Sequence, residues 1–264
     1  MNVNELVLER VRTVEEYDTL TGDIVGRYTQ VEEPSLQTSA DGVDVTDAMG
    51  SPIATFYNNQ QGTFSFSNSL FSLDLAASQF GATKNVASAL NKIKVPVSET
   101  LKIGADNTVT LSHVPVGTSG AEIIFVKIIN DNNTFGETYT VTSSEATGKN
   151  FTISASEKKI TLPEGTQGRV FVNYTRETEQ AVSLSKTTDS IPAVRKLLIH
   201  AIFHDPCDIN IKYAGVIVCE RAQLDPSSVE LSLTMEGKHA ATYKLTKPFC
   251  DEKGKLFDII VAED

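Results

Sequence analysis

Alternating apolar and polar residues predict a β-hairpin between residues 47 and 67. Ile53, Thr55 and Tyr57 form one alternating segment, and Phe64 and Phe66 alternate with polar residues in the next. This period of two is typical of a half-buried strand. A turn over residues 47–50 opens the first segment. The polar run at residues 58–62 has the composition of a second turn, which folds the chain back. We therefore predict a hairpin whose turn lies at residues 58–62.

A helical pattern follows the hairpin. Apolar residues recur with helical spacing from residue 70 to residue 80, and Gly81 is suited to end the helix. Residues 82–94 have a weaker periodicity, from which we expect a second short helix. Residues 5–16 have a helix-like composition, but their β-branched side chains favour a strand.

The middle of the chain predicts a separate β-rich block. About seven short strands lie between residues 96 and 185, separated by turn signals roughly every 8–12 residues, as in a small immunoglobulin-like β-sandwich. The run from residue 123 to residue 129 is almost continuously apolar, so this strand is expected to be central. The predicted strands cover residues 101–103, 108–111, 122–129, 139–142, 151–154, 159–162 and 169–174.

Longer strands return after residue 192. They are predicted at residues 197–203, 209–219, 228–235, 241–245 and 256–262. The domain prediction is accordingly one β domain made of residues 1–95 and 190–264, into which a β-sandwich of residues 96–185 is inserted.

The composition is that of a globular protein. The 264 residues are 40% hydrophobic and 22% charged, which disfavours general disorder. No run approaches the roughly 18 apolar residues of a membrane span. The first residues lack the pattern of a signal peptide, so synthesis and assembly in a cytoplasm are expected. The three cysteines, Cys207, Cys219 and Cys250, form no Cys-x-x-Cys pair and are expected to be reduced and buried.

Negative charge is concentrated at the N-terminus. The net charge is −11, and residues 1–50 contribute −8 of it through eleven acids and three arginines. Such a surface repels phosphates, which disfavours tight nucleic-acid binding. It is either a solvated face that aids solubility or a surface that nucleic acid passes without sticking.

Two clusters were candidates for metal chemistry, and neither is assigned a site. His200 and His204 have the spacing of a helical zinc pair, but a glutamate is missing at position 201. On the strand predicted there, they would lie about 13 Å apart, too far to bind one ion. Residues 130–137 resemble a calcium loop but lack the required spacing. We therefore predict no catalytic, cofactor-binding or metal-binding residue, and no enzyme.

Several segments together resemble the tail tube (major tail) and related structural proteins of tailed bacteriophages. The resemblance lies in residues 47–55, 62–65, 72–81, 213–218 and 229–237. It implies two packed antiparallel β-sheets with a flanking helix. It also implies hexameric rings stacked into a tube, in which an acidic lumen lets DNA slide past during ejection.

The resemblance predicts a self-assembling virion protein of the phage tail. Its partners would be further copies of itself, other virion proteins and DNA that passes without specific binding, with no membrane and no cofactor. The hairpin would be the inter-subunit sheet element and the helix its buttress. The alternative is a phage decoration or adhesin-type protein whose β-sandwich points outward.

Overall fold

A computed structural model describes residues 4–229, 231, 234, 238–248 and 254–263 of the chain. Strands account for 55% of the residues and helical segments for 4%. The sheets are mainly antiparallel, and the described part of the chain holds one α-helix, which confirms the predicted mainly β fold. The chain divides into two compact units: unit 1 comprises Met1–Lys84 and Leu184–Asp264, and unit 2 comprises Asn85–Ser183.

The first part of unit 1 contains β1 (Val7–Asp18), β2 (Ile24–Tyr28), β3 (Val31–Thr46), β4 (Pro52–Asn68) and α1 (Leu73–Phe80). Unit 2 contains β5 (Asn85–Val86), β6 (Ile93–Lys102), β7 (Thr108–Thr110), β8 (Phe125–Ile129), β9 (Phe135–Val141), β10 (Asn150–Ser154), β11 (Lys159–Thr161), β12 (Arg169–Thr178) and β13 (Val182–Ser183). Unit 1 is completed by β14 (Val194–His204), β15 (Lys212–Leu224), a 3-10 turn (Pro226–Ser228), β16 (His239–Leu245) and β17 (Asp258–Glu263).

Hydrogen bonds join the eight described strands of unit 1 into one antiparallel sheet. The order is β2-β1-β14-β15-β16-β4-β3, and β17 pairs with a further stretch of β15. Its core includes Phe64, Phe66 and Tyr243, whose rings lie within contact distance of one another, with Leu75 of α1 packed in the same cluster. Strand β1 confirms the preference for a strand over residues 5–16, since β-branched side chains suit a pleated surface.

Helix α1 confirms the predicted helix, but it begins at Leu73 rather than at residue 70. The Ser72 hydroxyl caps the helix by accepting a hydrogen bond from the Leu75 N–H at 3.2 Å. Gly81 ends it in the left-handed conformation, with φ of 62°. On the sheet side, the Gln79 side chain donates a hydrogen bond to the Ala240 carbonyl (2.7 Å) and pairs with the His239 ring (2.7 Å).

The predicted turn at residues 58–62 is wrong, because β4 runs without interruption through these residues. The polar run contains a β-bulge instead. Between the pairs Ser39↔Gln61 and Asp41↔Asn58, β4 contains one residue more than β3, and Asn59 adopts the left-handed conformation with φ of 51°. The hairpin turn lies at residues 47–51, where β3 meets β4.

The predicted second helix over residues 82–94 is also wrong. Residues Asn85–Val86 form β5, which pairs with β13. Ser88 and Asn91 close a local turn by hydrogen bonds in both directions between their backbones. Small polar residues compete with the helix by bonding nearby backbone groups, and here the competition decides the outcome.

Unit 2 contains all seven strands predicted for the middle of the chain. Its main sheet has the order β6-β12-β8-β9-β10-β11-β7, so β8 lies in the interior of the sheet as expected. The pair β9 and β10 is parallel, and the other pairs are antiparallel. The core is formed by inward-facing residues such as Val126, Phe151, Val170 and Val172. The predicted domain boundary between residues 95 and 96 falls inside β6.

The late strands follow the prediction with shifted ends. Strand β14 contains residues 197–203, β16 contains 241–245, and β17 shares residues 258–262 with the prediction. Strand β15 begins at Lys212 because residues 208–211 form a turn, in which the Ile211 N–H bonds the Asp208 carbonyl at 3.0 Å. Half of the residues of the strand predicted at 228–235 lie outside the described residues.

Candidate assembly surface

A long two-stranded ribbon extends from the sheet of unit 1. It comprises residues 38–62, in which β3 and β4 pair from Thr38↔Gly62 to Thr46↔Pro52. Strand β16 pairs with β4 only as far as Gly62. Beyond that point no other described strand covers either edge of the ribbon, and every residue from 39 to 61 is exposed.

Local sequence chemistry explains how the ribbon turns. At its tip the Asp47 carboxylate accepts hydrogen bonds from the N–H groups of Met49 and Ser51, each at 2.8 Å. Gly50 supplies the positive φ of 84° that this turn requires. Farther down, the Asn59 side chain donates a hydrogen bond to Asp41 across the bulge at 2.7 Å.

One side of the ribbon carries a row of apolar side chains although it faces solvent, and the other side also exposes Tyr57. Val43 lies opposite Phe56, and Val45 lies opposite Ala54, so these side chains share one side of the pleat. Their exposed fractions are 54% for Val43, 46% for Val45 and 64% for Phe56. Scattered apolar residues are normal on a protein surface, but a contiguous apolar stripe is typical of an interaction surface. We call these four residues the apolar stripe.

The ribbon is also acidic. No lysine or arginine occurs between residues 28 and 83, and the ribbon contains Asp41, Asp44 and Asp47. Their side chains bind only neutral donors of the ribbon itself, including the Thr55 hydroxyl on Asp44 at 2.6 Å. Among the described residues of unit 1, no ion pair neutralises these three charges.

Several other acids of residues 1–50 are used inside unit 1. Glu15 lies 3.2 Å from Arg27, and Glu32 lies 2.7 Å from Lys238. Asp18 is in contact with Arg195. The acidic N-terminal region is therefore not one uniform surface, and its unneutralised charge includes the ribbon.

The most deeply buried acid of this region is Glu16, whose side chain joins the sheet to helix α1. Its Oε2 accepts hydrogen bonds from the Tyr28 and Ser78 hydroxyls, each at 2.8 Å. Its Oε1 is buried without a hydrogen bond and lies 3.9 Å from Nε of Arg195. Burial raises the pKa of the Glu16 carboxyl group, and burial together with the Glu16 charge raises the pKa of Tyr28.

The two candidate histidines lie on β14 and pair with glutamates of β1. Nε2 of His204 lies 2.6 Å from Glu9, and Nδ1 lies 2.5 Å from the Ile209 carbonyl oxygen. The bond to Glu9 raises the pKa of His204. Nε2 of His200 lies 3.4 Å from Glu15. Among the described residues, no three His, Cys, Asp or Glu side chains are grouped as a metal site would require.

The remaining candidates lie in ordinary turns or strands. Residues 130–135 close the β8–β9 turn, where the Asn132 side chain accepts hydrogen bonds from Thr134. Cys219 is buried as expected, and burial raises the pKa of its thiol to about 12. Cys207 is exposed, contrary to the expectation. Cys250 lies outside the described residues.

The comparisons with known proteins give one family. The model of the YomU/Tube protein family matches residues 6–259, nearly the whole chain. The chain therefore belongs to this family, which confirms the resemblance to phage tube proteins and indicates a structural protein of the virion. A search of curated proteins finds no match. In the part of the chain that the structure describes, no helix has the length and hydrophobicity that crossing a bilayer requires.

Proposed function

We propose that this member of the YomU/Tube family assembles into hexameric rings, and that these rings stack into the tail tube through which phage DNA passes. The observation that carries the proposal is the ribbon, which protrudes from the sheet with the apolar stripe and open strand edges exposed. Assembly takes place in the host cytoplasm, and the assembled protein resides in the virion tail with other virion proteins.

The energetics favour a partner for the ribbon. A two-stranded ribbon without a core is marginally stable in water, and open strand edges are prone to pair with other chains. Fully burying a valine or phenylalanine side chain contributes about 1.5–3 kcal/mol. Val43, Val45 and Phe56 are each about half exposed, so covering them contributes about 1 kcal/mol per residue. Three such contacts, repeated in every subunit, favour polymerisation.

The charge supports the passage of DNA. A chain with a net charge of −11 repels the phosphate backbone and resists tight binding. A lumen that presents part of this charge lets DNA move without adhering to it. The prediction for this part is weak DNA binding by assembled tubes at physiological salt.

The experiment combines electron microscopy with a matched pair of variants. Purified chains at rising concentration are expected to form rings and tubes with an open lumen in negative stain. The ribbon variant V43T/V45T/F56S removes apolar area that is already exposed, so it leaves folding intact. It is expected to raise the critical concentration for assembly about 100-fold, since each 1.4 kcal/mol is worth about tenfold.

The control is Leu20→Ser, which removes an apolar side chain that is 94% exposed in the β1–β2 turn. It is expected to assemble like the wild type. The chain has no tryptophan, so Phe56→Trp provides a single emitter whose fluorescence shifts to shorter wavelength as the ribbon is covered. Chains that stay monomeric under all assembly conditions would refute the proposal, and binding of unit 2 to cell surfaces would then favour the decoration or adhesin alternative.

A further inference from the structure

Unit 2 presents a sheet face that combines cations with aromatic rings. We call Lys102, Lys127, Phe135, Arg169 and Phe171 the basic aromatic face. Lys102 lies opposite Arg169 on β6 and β12, and Phe171 lies opposite Lys127 on β12 and β8. On β12, Arg169 and Phe171 alternate with Val170 and Val172, which are fully buried. The five side chains therefore lie on the outer side of the sheet.

The contacts within this face are few and specific. The rings of Phe135 and Phe171 meet edge to face, with centroids 5.4 Å apart. Nζ of Lys127 lies 5.8 Å from the centroid of Phe135. Arg169 donates a hydrogen bond to the Asn133 side chain at 2.6 Å. Phe135 remains 60% exposed.

The cations of the face have no acidic partner. Among the described residues, no ion pair involves Lys102, Lys127 or Arg169, whereas other lysines of unit 2, such as Lys92 and Lys149, are paired with glutamates. Unit 2 contains nine lysines and arginines and ten acids, which give a net charge of −1. Unit 1 contains 14 lysines and arginines and 24 acids, which give a net charge of −10. An acidic partner for this face is therefore available on unit 1 of a second copy.

We propose that the basic aromatic face of one copy receives the ribbon of a second copy. On the ribbon, Asp41, Val43 and Val45 alternate along β3 and so share one side with Phe56. That side carries a negative charge complementary to the cations of the face, and apolar side chains that can pack against its aromatic rings. The inference rests on the proposed assembly and names the surface to which the ribbon binds.

The dimensions of the two surfaces agree. Neighbouring strands lie about 4.8 Å apart, so the four adjacent strands of the face extend over about 14 Å. The ribbon is longer than this, because each of its strands rises about 3.4 Å per residue. The cations lie on β6, β8 and β12, which are adjacent in the sheet, and the aromatic pair lies on β9 and β12. An acidic and apolar ribbon side laid across these strands reaches both the cations and the rings.

The test is a charge exchange measured on the full chain. Asp41→Lys on the ribbon and the pair K127E/R169E on the face are each expected to raise the critical concentration for assembly about tenfold, as repulsive charges do at interfaces. The combined variant D41K/K127E/R169E restores the attraction and is expected to assemble within about threefold of the wild type, because double-mutant cycles isolate such couplings.

Matched controls separate specific contact from net charge. K158E/K159E makes the same charge change in unit 2 where the chain enters β11, away from the face. Asp44→Lys makes the same change as Asp41→Lys on the other side of the ribbon. The critical concentration of each control variant is expected to lie closer to that of the wild type than the critical concentration of its test variant does. Equal effects of test and control variants, or no recovery in the combined variant, would overturn the inference while leaving the proposed function intact.

A direct readout follows burial of the face. Phe135→Trp places a single tryptophan there, and its emission is expected to shift to shorter wavelength and lose iodide quenching when tubes form. Tubes that leave this tryptophan exposed would contradict the inference. The inference would also be contradicted if the face bound soluble heparin and the K127E/R169E variant formed tubes like the wild type. Wild-type chains that form no assembly would overturn both the inference and the proposed function.

Discussion

Replacing the buried Glu16 carboxyl group by an amide changes one charge between the sheet and helix α1. Glu16→Gln keeps an oxygen that accepts the bonds from the Tyr28 and Ser78 hydroxyls. Glu16→Ala removes this acceptor and leaves both hydroxyls unsatisfied, at a cost of about 1–3 kcal/mol each. The alanine variant is therefore expected to lose about 2–6 kcal/mol of unfolding free energy, much more than the glutamine variant.

The pH dependence separates charge from packing. Burial raises the folded-state pKa of Glu16 above its usual value of 4.5. Its stabilising contribution is therefore fully present below pH 4.5 and is lost as the pH rises through the raised pKa. Between pH 4.5 and the raised pKa, the unfolding free energy of the wild type falls by at most about 1.4 kcal/mol per pH unit relative to that of Glu16→Gln. Carboxyl groups with lowered pKa, such as Asp18 and Asp225, act in the opposite direction but cancel in this difference.

The assay is urea unfolding at pH 4.5 to 8, carried out on the ribbon-variant background so that assembly does not contribute. Hydrogen-exchange mass spectrometry on peptides from β1 and α1 restricts the signal to unit 1. We expect the free-energy difference, wild type minus Glu16→Gln, to fall as the pH rises. A difference that is constant or rises with pH would refute the reasoning.

Two further predictions concern a glycine and the cysteines. Gly81→Ala forces a side chain into a left-handed position and against the backbone of Ile191, and is expected to cost more than about 2 kcal/mol in unfolding free energy measured by urea. Gly22→Ala is the control for the backbone effect alone, because Gly22 has a φ of 77° and open space around it. It is expected to cost about 1 kcal/mol of unfolding free energy. If both substitutions cost the same, the proposed overlap with Ile191 would be contradicted. Native chains treated with iodoacetamide at pH 8 and mapped by mass spectrometry are expected to alkylate Cys219 about 100-fold more slowly than Cys207, because burial raises the Cys219 pKa to about 12; similar rates would contradict its burial.

Local patterns predicted the elements whose stability is decided locally. The strands of unit 2 follow from short apolar runs between turn residues, and each predicted run contains or overlaps one of the observed strands. Helix α1 follows from helical spacing between Ser72 and Gly81, where both ends are fixed by capping. In these cases the intrinsic preference, the apolar pattern and the end signals agree, which is when a sequence specifies its local structure.

The failures occur where local signals allow two structures. The Asn-rich run at residues 58–62 suits a turn, but it also suits a bulge, because Asn59 tolerates a positive φ. Only the partner strand decides, since β3 continues past the bulge and pairs with β4 as far as residue 52. The ribbon was missed for this reason. The alternation at residues 53–57 was the available signal, and it was interpreted as one strand of a shorter hairpin.

The charge of the ribbon also selects the kind of interface that it can form. Two ribbons that paired through their apolar stripes would bring two copies of Asp41, which lies on the same side as the stripe, into the contact, with no lysine or arginine of either ribbon to neutralise them. Like charges across an interface cost several kcal/mol, so pairing between two ribbons is disfavoured. A ribbon that is covered must then meet a different surface of its neighbour, and such a heterologous contact, repeated from subunit to subunit, generates rings and filaments rather than closed dimers.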